Sequence, residues 1–232
     1  PAAHNRLRSG PDGRPTYAAV VDTVERAMVR GLRPDISITL TARNLDGAAG
    51  AVRFALARDL PFSLNFYREC APVPSAALSV EPDRLVDVVR GVLQVVRAYP
   101  AYAVPLAGIL DRVRLDVPHR YPCSAGRDYV AVDARGGVAA CQMLLDTPWS
   151  HLSAEDPLAT VRCQGRDLFQ PVDVHAECRD CTWRAACAGG CPLMRGTPLH
   201  EAYCRVYQAL LPELVQLEAR RLVTRHGIGA VV

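Results

Sequence analysis

Apolar positions recur regularly in the first half of the chain and irregularly in the second. Over residues 16–30, Ala19, Val20, Thr23, Val24 and Met28 fall on one face at helical spacing, with Pro15 near the first turn, which predicts a helix. Residues 36–41 alternate β-branched and polar side chains as a strand does, the Ala-rich run 45–59 returns to helical spacing, and residues 62–67 alternate again. Such helix-strand-helix-strand alternation predicts parallel strands joined by crossover helices, in an open α/β sheet or part of a barrel. Past a Pro-interrupted loop over 70–82, residues 84–98 read as an amphipathic helix and residues 105–115 as another, with the first domain ending near Pro118. The character then changes. Residues 129–133, a turn at 134–137 and residues 138–143 predict a β-hairpin that brings Cys123 and Cys141 together. Residues 144–177 show little periodicity, and a terminal helix is expected over 201–226. The expected organisation is a first domain over 1–117 and a second over 118–232, in which metal ligation substitutes for part of a hydrophobic core.

Composition narrows this picture. With 232 residues, half of them hydrophobic, and a net charge of +3, the chain can bury an ordinary core as one large or two small domains. It contains no Lys, and its arginines are spread along the chain without a run, which argues against a nucleic-acid or membrane-surface partner. No apolar stretch approaches the roughly 20 residues that span a bilayer. The start, Pro1-Ala2-Ala3-His4, lacks the pattern of a signal peptide. A reducing cytoplasm is the expected location, where clustered thiols indicate metal rather than disulfides.

Seven of the nine cysteines fall into two groups, Cys123-x12-Gly136-x4-Cys141 and Cys178-x2-Cys181-x5-Cys187-x3-Cys191, followed by Cys204. Thiolates are the ligands of iron-sulfur clusters, and so many in proximity are enough for nearly two cubanes. Four-cysteine zinc sites also use C-x2-C, but two adjoining pairs would be expected there and this chain has one. A disulfide framework fits poorly with the odd count. Cys178, Cys181 and Cys187 are close enough for one tight loop to present three thiolates to a single cubane, with Cys204 arriving from the last helix as a fourth. Gly189 and Gly190 let the backbone pass close to sulfide and offer it N–H groups. His119, His151, His175 and His200 show no paired metal spacing. Trp183 is expected to pack over the cysteine loop, Asp128 and Asp133 to serve the hairpin, and Cys70 to be a core or loop residue.

With the contexts Cys181-Thr182-Trp183 and Gly189-Gly190-Cys191-Pro192, this array resembles the SPASM domain, a C-terminal extension of radical SAM enzymes that holds auxiliary 4Fe-4S clusters. The resemblance covers about residues 118–226. Upstream, His4-Asn5-Arg6-Leu7-Arg8, Gly13, Thr16-Tyr17 and Thr39-Leu40-Thr41-Ala42-Arg43-Asn44 resemble the middle and later part of the radical SAM partial barrel. The resemblance implies that Cys178, Cys181, Cys187 and Cys204 hold a second auxiliary cluster and that Cys123, Cys141 and Cys191 hold the first. For the fourth position of the first cluster, Cys163, Asp128 or another oxygen donor, or an iron open to substrate remain alternatives; the other reading of Cys163 is a buried free thiol. Arg8 and Asn44 are implied contacts to S-adenosylmethionine, against a surface salt bridge and a helix N-cap. The C-x3-C-x2-C loop that cleaves S-adenosylmethionine does not occur in this chain. The expectation is a fragment lacking the first part of the barrel, inactive alone, whose full-length protein carries a third 4Fe-4S cluster.

The implied activity is a maturase of a ribosomally made peptide. In such enzymes a radical derived from S-adenosylmethionine removes a hydrogen, the residue is oxidised or cross-linked, and the auxiliary clusters relay electrons to or from a donor such as flavodoxin or ferredoxin. Sulfatase-maturing relatives carry an Asp after the second hairpin Cys. Gln142 stands there in this chain, which favours another peptide substrate. The alternatives are a sulfatase-maturing type of enzyme, a non-enzymatic iron-sulfur module for electron transfer or peptide binding, and a zinc-stabilised interaction domain.

Overall fold

The alternating segments ISITL and FSLNF form strands β1 (Ile36–Leu40) and β2 (Phe62–Phe66), paired in parallel with Ile36 opposite Phe62 and Leu40 opposite Phe66. Phe62, Leu64 and Phe66 are buried while Ser63 and Asn65 are half-exposed, the period-two signature of a strand with one covered face. This computed structural model describes residues 1–68, 76–106 and 108–226; Cys70 lies outside the described residues. Between the strands, helix α3 (Ala48–Leu56) crosses over and buries Val52, Ala55 and Leu56. After α3 the chain turns through Asp59 at φ 50°, a left-handed conformation that Asp tolerates through local hydrogen bonds, and the Asp59 carboxylate accepts from the Ala103 N–H at 2.9 Å. Helix α4 (Pro82–Arg97) packs on α3 with Leu85, Val89, Val92 and Val96 buried. Pro82 occupies its first turn, where a missing N–H leaves no bond unmade.

One expectation is corrected in this part of the chain. Helix α2 (Tyr17–Val29) forms as the spacing predicts; Ala19, Val20 and Thr23 are exposed on it, and Tyr17, Val21, Val24 and Met28 make the half-buried face. Its start is held from outside. Asn5, on helix α1 (Ala2–Leu7), accepts from the backbone N–H groups of Thr16 and Tyr17 at 3.1 and 2.9 Å, doing the capping that Thr16 itself does not. Residues 105–115 form no helix among the described residues, although Leu106, Ile109, Leu110 and Val113 are buried at helical spacing. Leu110 instead bridges Leu64 in parallel: the Leu64 N–H donates to Ile109 and the Asp111 N–H to Leu64, both at 2.6 Å. The edge of β2 offers unpaired backbone groups, and pairing them outweighs a short helix that is marginal by itself.

The second half carries strands β3 (Ala131–Val132), β4 (Gly137–Ala139) and β5 (Ser150–His151) in one antiparallel sheet. The hairpin falls where the sequence predicts it; the third strand does not announce itself by periodicity. Helix α5 (Pro157–Gly165) also escapes the spacing argument, yet its start is legible. Asp156 caps it by accepting from the Ala159 N–H at 2.8 Å, with Pro157 in the first turn. Short helices α6 (Ala176–Arg179) and α7 (Arg184–Cys187) and the long helix α8 (Pro198–His226) complete the chain.

The chain divides into two units. One takes Pro1–Tyr67, Ala76–Asp111 and the chain from Ala209; the other takes Arg112–Gln208. The division thus falls at Asp111 and Arg112, where the sequence suggested residues near Pro118, and α8 is shared. Pro212 within α8 lacks the N–H that would bond the Gln208 carbonyl, close to where the helix passes from one unit to the other. In the first unit Arg221, 7% exposed, donates to Glu218 at 2.5 Å and to the Tyr102 and Val104 carbonyls at 2.5 and 3.2 Å. Glu218 in turn accepts from the Leu106 N–H at 3.1 Å. A buried ion pair therefore ties the end of α8 to the 102–106 loop.

Candidate metal centre

The hairpin group is built by turn chemistry. The Asp133 carboxylate accepts from the N–H groups of Arg135 and Gly137 at 2.7 and 2.8 Å, closing the turn. Gly136 sits at φ 89°, and a Cβ there would stand 2.7 Å from His151 Nε2. That imidazole nitrogen donates to the Arg135 carbonyl at 2.8 Å while Nδ1 accepts from the Ser153 N–H at 3.1 Å, so the turn and β5 are locked together. The glycine of the C-x12-G-x4-C spacing is thus required twice, by backbone conformation and by a ring against it. Beyond the turn, the Gly126 N–H donates to Ala140 at 3.1 Å, which lays the loop after Cys123 along the strand leading to Cys141. Cys141 is buried with Ala125, Val138, Ala140, Val161 and Phe169, and Cys123 and Leu193 pack against that same cluster.

The second group is a staircase of single turns. The Cys181 N–H donates to Cys178, Arg184 to Cys181, Cys187 to Trp183 and Gly190 to Cys187, each at 3.1 Å. Ala188, Gly189 and Gly190 all take positive φ, 48°, 78° and 69°, which reverses the chain toward Cys191. Neither α6 nor α7 exceeds one turn, so the cysteines are held by turns and by what they surround. A Cβ on Gly189 would lie 3.4 Å from Cys178 Sγ, so the backbone there runs close to a thiol. His200 bonds the Gly189 carbonyl at 2.9 Å, and Trp183 is half-buried at the start of α7.

Electrostatics sorts the thiols into two sets. Burial pushes the Cys141 thiol up, and its further like-charge neighbours are Cys191 and Cys123. Tyr129, raised by burial, feels the same three thiols. Burial pushes Cys178 up to about 11, with Glu177, Cys187 and Cys204 adding to it and Arg195 opposing. Cys187 and Cys204 are also raised, by burial first and then by Cys181; the Gly189 N–H pulls Cys187 back. Bare thiols packed this way resist ionising because burial and mutual repulsion both disfavour charge, and bound iron reverses the sign of that repulsion. The donor set fits iron-sulfur ligation: thiols in two sets, N–H groups aimed at sulfur, and a glycine cradle that a Cβ would fill. Among the described residues no three His, Cys, Asp or Glu side chains converge tightly enough for one ion. A zinc ion draws its donors to about 2.0–2.3 Å, whereas a cubane spreads thiolates over separate iron corners.

The other sequence candidates fall elsewhere. Cys163 is exposed on α5, so it is not the buried free thiol of one reading. Asp128 is exposed, its carboxylate 3.8 Å from Arg127, and Gln142 is exposed in the turn after Cys141. Arg8 is exposed at the end of α1, and its carbonyl accepts from the Thr16 hydroxyl. Asn44 uses both ends of its amide on its own strand, accepting from the Thr41 N–H and donating to the Thr39 carbonyl at 2.8 Å each, and does not cap the following turn. Sequence reasoning missed Arg195, Tyr129 and His200. The signal available for Arg195 was its place four residues after Cys191 in the same loop. Beside the hairpin group a cavity of about 410 Å³ is lined by Tyr121, Gly126, Arg127, Arg162, Arg166 and Phe169.

The fold of the chain is mixed α/β. No family model and no curated protein matches it by sequence. Solved structures of anSMEcpe, an anaerobic sulfatase-maturating enzyme, carry this fold. The form with bound AdoMet and Kp18Cys peptide aligns with a TM-score of 0.62 at 15% identity, over 94% of this chain and 66% of that one. The hexahistidine-tagged form with bound AdoMet gives 0.63 at 16% identity over 94% and 63%, and the form with Cp18Cys peptide 0.63 at 15% over 94% and 66%. The chain therefore spans a little under two thirds of the length of these proteins. Among the described residues no helix is long and apolar enough to cross a membrane.

Proposed function

We propose that this chain is the later part of a radical SAM partial barrel, residues 1–117, joined to a SPASM domain, residues 118–232, of an enzyme that modifies a peptide. The observation that carries the reading is the sorting of the thiols: Cys141 with Cys123 and Cys191, and Cys178 with Cys181, Cys187 and Cys204. This sorting supports the two ligand sets that the family resemblance implies. The first set would hold one 4Fe-4S cluster with its fourth position open or exchangeable, and the second would close another. When bound, such clusters supply one-electron transfer. The protein's own part is to hold the thiols, aim the Gly189 N–H at Cys187, and shield both sets with buried side chains.

The likeness to proteins solved with AdoMet and with peptides supports S-adenosylmethionine as a cofactor of the whole enzyme and a peptide as its substrate. The arginine-rimmed cavity beside the first set is the candidate place for a side chain of that peptide. A maturase other than a sulfatase-maturing one is favoured by Gln142 following Cys141. A reduced flavodoxin or ferredoxin would supply electrons, and a third cluster, bound outside this chain, would cleave the cofactor. Arg8 and Asn44 are the proposed contacts to S-adenosylmethionine; the amide of Asn44 is occupied with its own strand, so Arg8 is the freer of the two. Anaerobic reconstitution with iron and sulfide tests the reading. About eight iron per chain with broad visible absorbance is expected for two cubanes; a colourless protein holding zinc would sink it.

A further inference from the structure

Resting on the reading that the thiols hold two clusters, we propose that Arg195 is a positioning residue for the second of them, its guanidinium donating to sulfur at Cys178 when that cluster is bound. In that role it raises the reduction potential of the second cluster. Arg195 follows the turn Pro192–Met194, which is closed by the Met194 N–H on the Cys191 carbonyl at 3.0 Å. Its Nε and Nη1 are fully buried and have no hydrogen-bond partner among the described residues. Its Nη2 lies 2.9 Å from the point where a Cβ on Gly189 would stand, and Cys178 Sγ lies 3.4 Å from that same point. The missing side chain of Gly189 therefore leaves room for both groups, and any larger residue there would meet guanidinium and sulfur alike.

A buried guanidinium with unmade hydrogen bonds is unfavourable, since each N–H has lost water without gaining an acceptor. No described carboxylate stands within ion-pair distance of Arg195; Glu177 is exposed and acts on it only from further away. Burial pulls the guanidinium pKa down, and the negative charge of Cys178, then Glu177, then Cys191 opposes that. The acceptor that completes its bonding is thus sulfur at Cys178 carrying the charge of a bound cluster. Hydrogen bonds to cluster sulfur and a nearby positive charge favour the more negative, reduced form, and so raise the potential.

The test uses the full chain, reconstituted anaerobically, as wild type, Arg195→Met and Arg195→Lys. Iron per chain, EPR-monitored redox titration, and urea unfolding of the metal-free proteins are read for each. The expected result is unchanged iron content, the midpoint of the second cluster shifted to lower potential in Arg195→Met, and a smaller shift in Arg195→Lys. The metal-free Arg195→Met chain should be at least as stable as wild type, because it has lost two buried N–H groups without partners. Midpoints that both stay put in a fully loaded Arg195→Met protein overturn the proposal, as does movement of the first cluster alone. If Arg195→Met fails to load, Arg195→Lys decides: a wild-type midpoint of the second cluster there overturns it, and a lowered one supports it. A wild-type chain that takes up no cluster overturns the underlying metal reading, a result distinguishable from all of these.

Discussion

Replacing Gly136 by Ala is the sharpest test of how the hairpin presents Cys123 and Cys141. The backbone there has φ 89°, and a Cβ would approach His151 Nε2 to 2.7 Å and Cε1 to 3.0 Å. Placing an L-residue in the left-handed region costs about 1–2 kcal/mol. The clash adds to this, with a limit set by the structure. His151 is exposed, so the ring can swing out, and the added cost is then the bonds it forfeits to Arg135 and Ser153. At about 0.5–1.5 kcal/mol for each bond, the clash is worth about 1–3 kcal/mol and the whole substitution about 2–5 kcal/mol. Gly196 is the control within the same unit: its φ is 74° and a Cβ there meets nothing within 4 Å, so Gly196→Ala should show the backbone cost alone.

Urea unfolding of the metal-free chain, followed by circular dichroism, reads these costs. A double-mutant cycle of Gly136→Ala with His151→Ala should return a coupling of about 1–3 kcal/mol, since the ring that clashes is gone. After reconstitution, Gly136→Ala should fall toward about four iron per chain as the first thiol set loses its geometry. If Gly136→Ala costs no more than Gly196→Ala, or if His151→Ala gives no rescue, the account of that glycine is wrong.

Three further outcomes are expected. Arg221→Met removes one partner of a buried ion pair and strands Glu218 and two carbonyls, so it should destabilise the metal-free protein by about 3–5 kcal/mol by urea unfolding; a cost below about 1 kcal/mol would mean that the pair contributes little. The Asp133 carboxyl is held below its usual range by the N–H groups of Gly137 and Arg135. Because its folded pKa is depressed, its stabilisation is present above the unfolded value of about 3.9 and is lost as pH falls through the folded one. Wild type should therefore lose more stability than Asp133→Asn between about pH 5 and pH 3, and equal losses would count against the turn. Cys123→Ser and Cys181→Ser should each leave about four iron per chain but with different EPR signals, and a loss of all iron in either would contradict two separate sites.

The strands β1 and β2, helices α3 and α4 and the hairpin were legible because each repeats a local pattern: alternation, helical spacing or a turn signal between apolar runs. The segment 105–115 was misread because its spacing is helical while its partner, the edge of β2, is distant in sequence. The start of α2 is set by Asn5 on another helix, and no apolar count within α2 contains that information. Strand β5 is two residues long and exists only because Gly137 and Val138 offer it a ladder.

By itself, the sequence determined that thiols dominate this protein's chemistry, that they fall into two spaced groups, and that a glycine must stand shortly before Cys141, because ligand type, loop length and backbone freedom are local properties. It also determined the parallel α/β character of the first half. Tertiary structure alone decided that Leu193, two residues beyond Cys191, packs against the buried cluster that holds Cys141. It alone put Arg195, with its buried and unpartnered Nε and Nη1, near the Gly189 backbone that also meets Cys178. Both depend on where the chain returns after the left-handed turn at 188–190, and packing brings side chains together without regard to sequence distance.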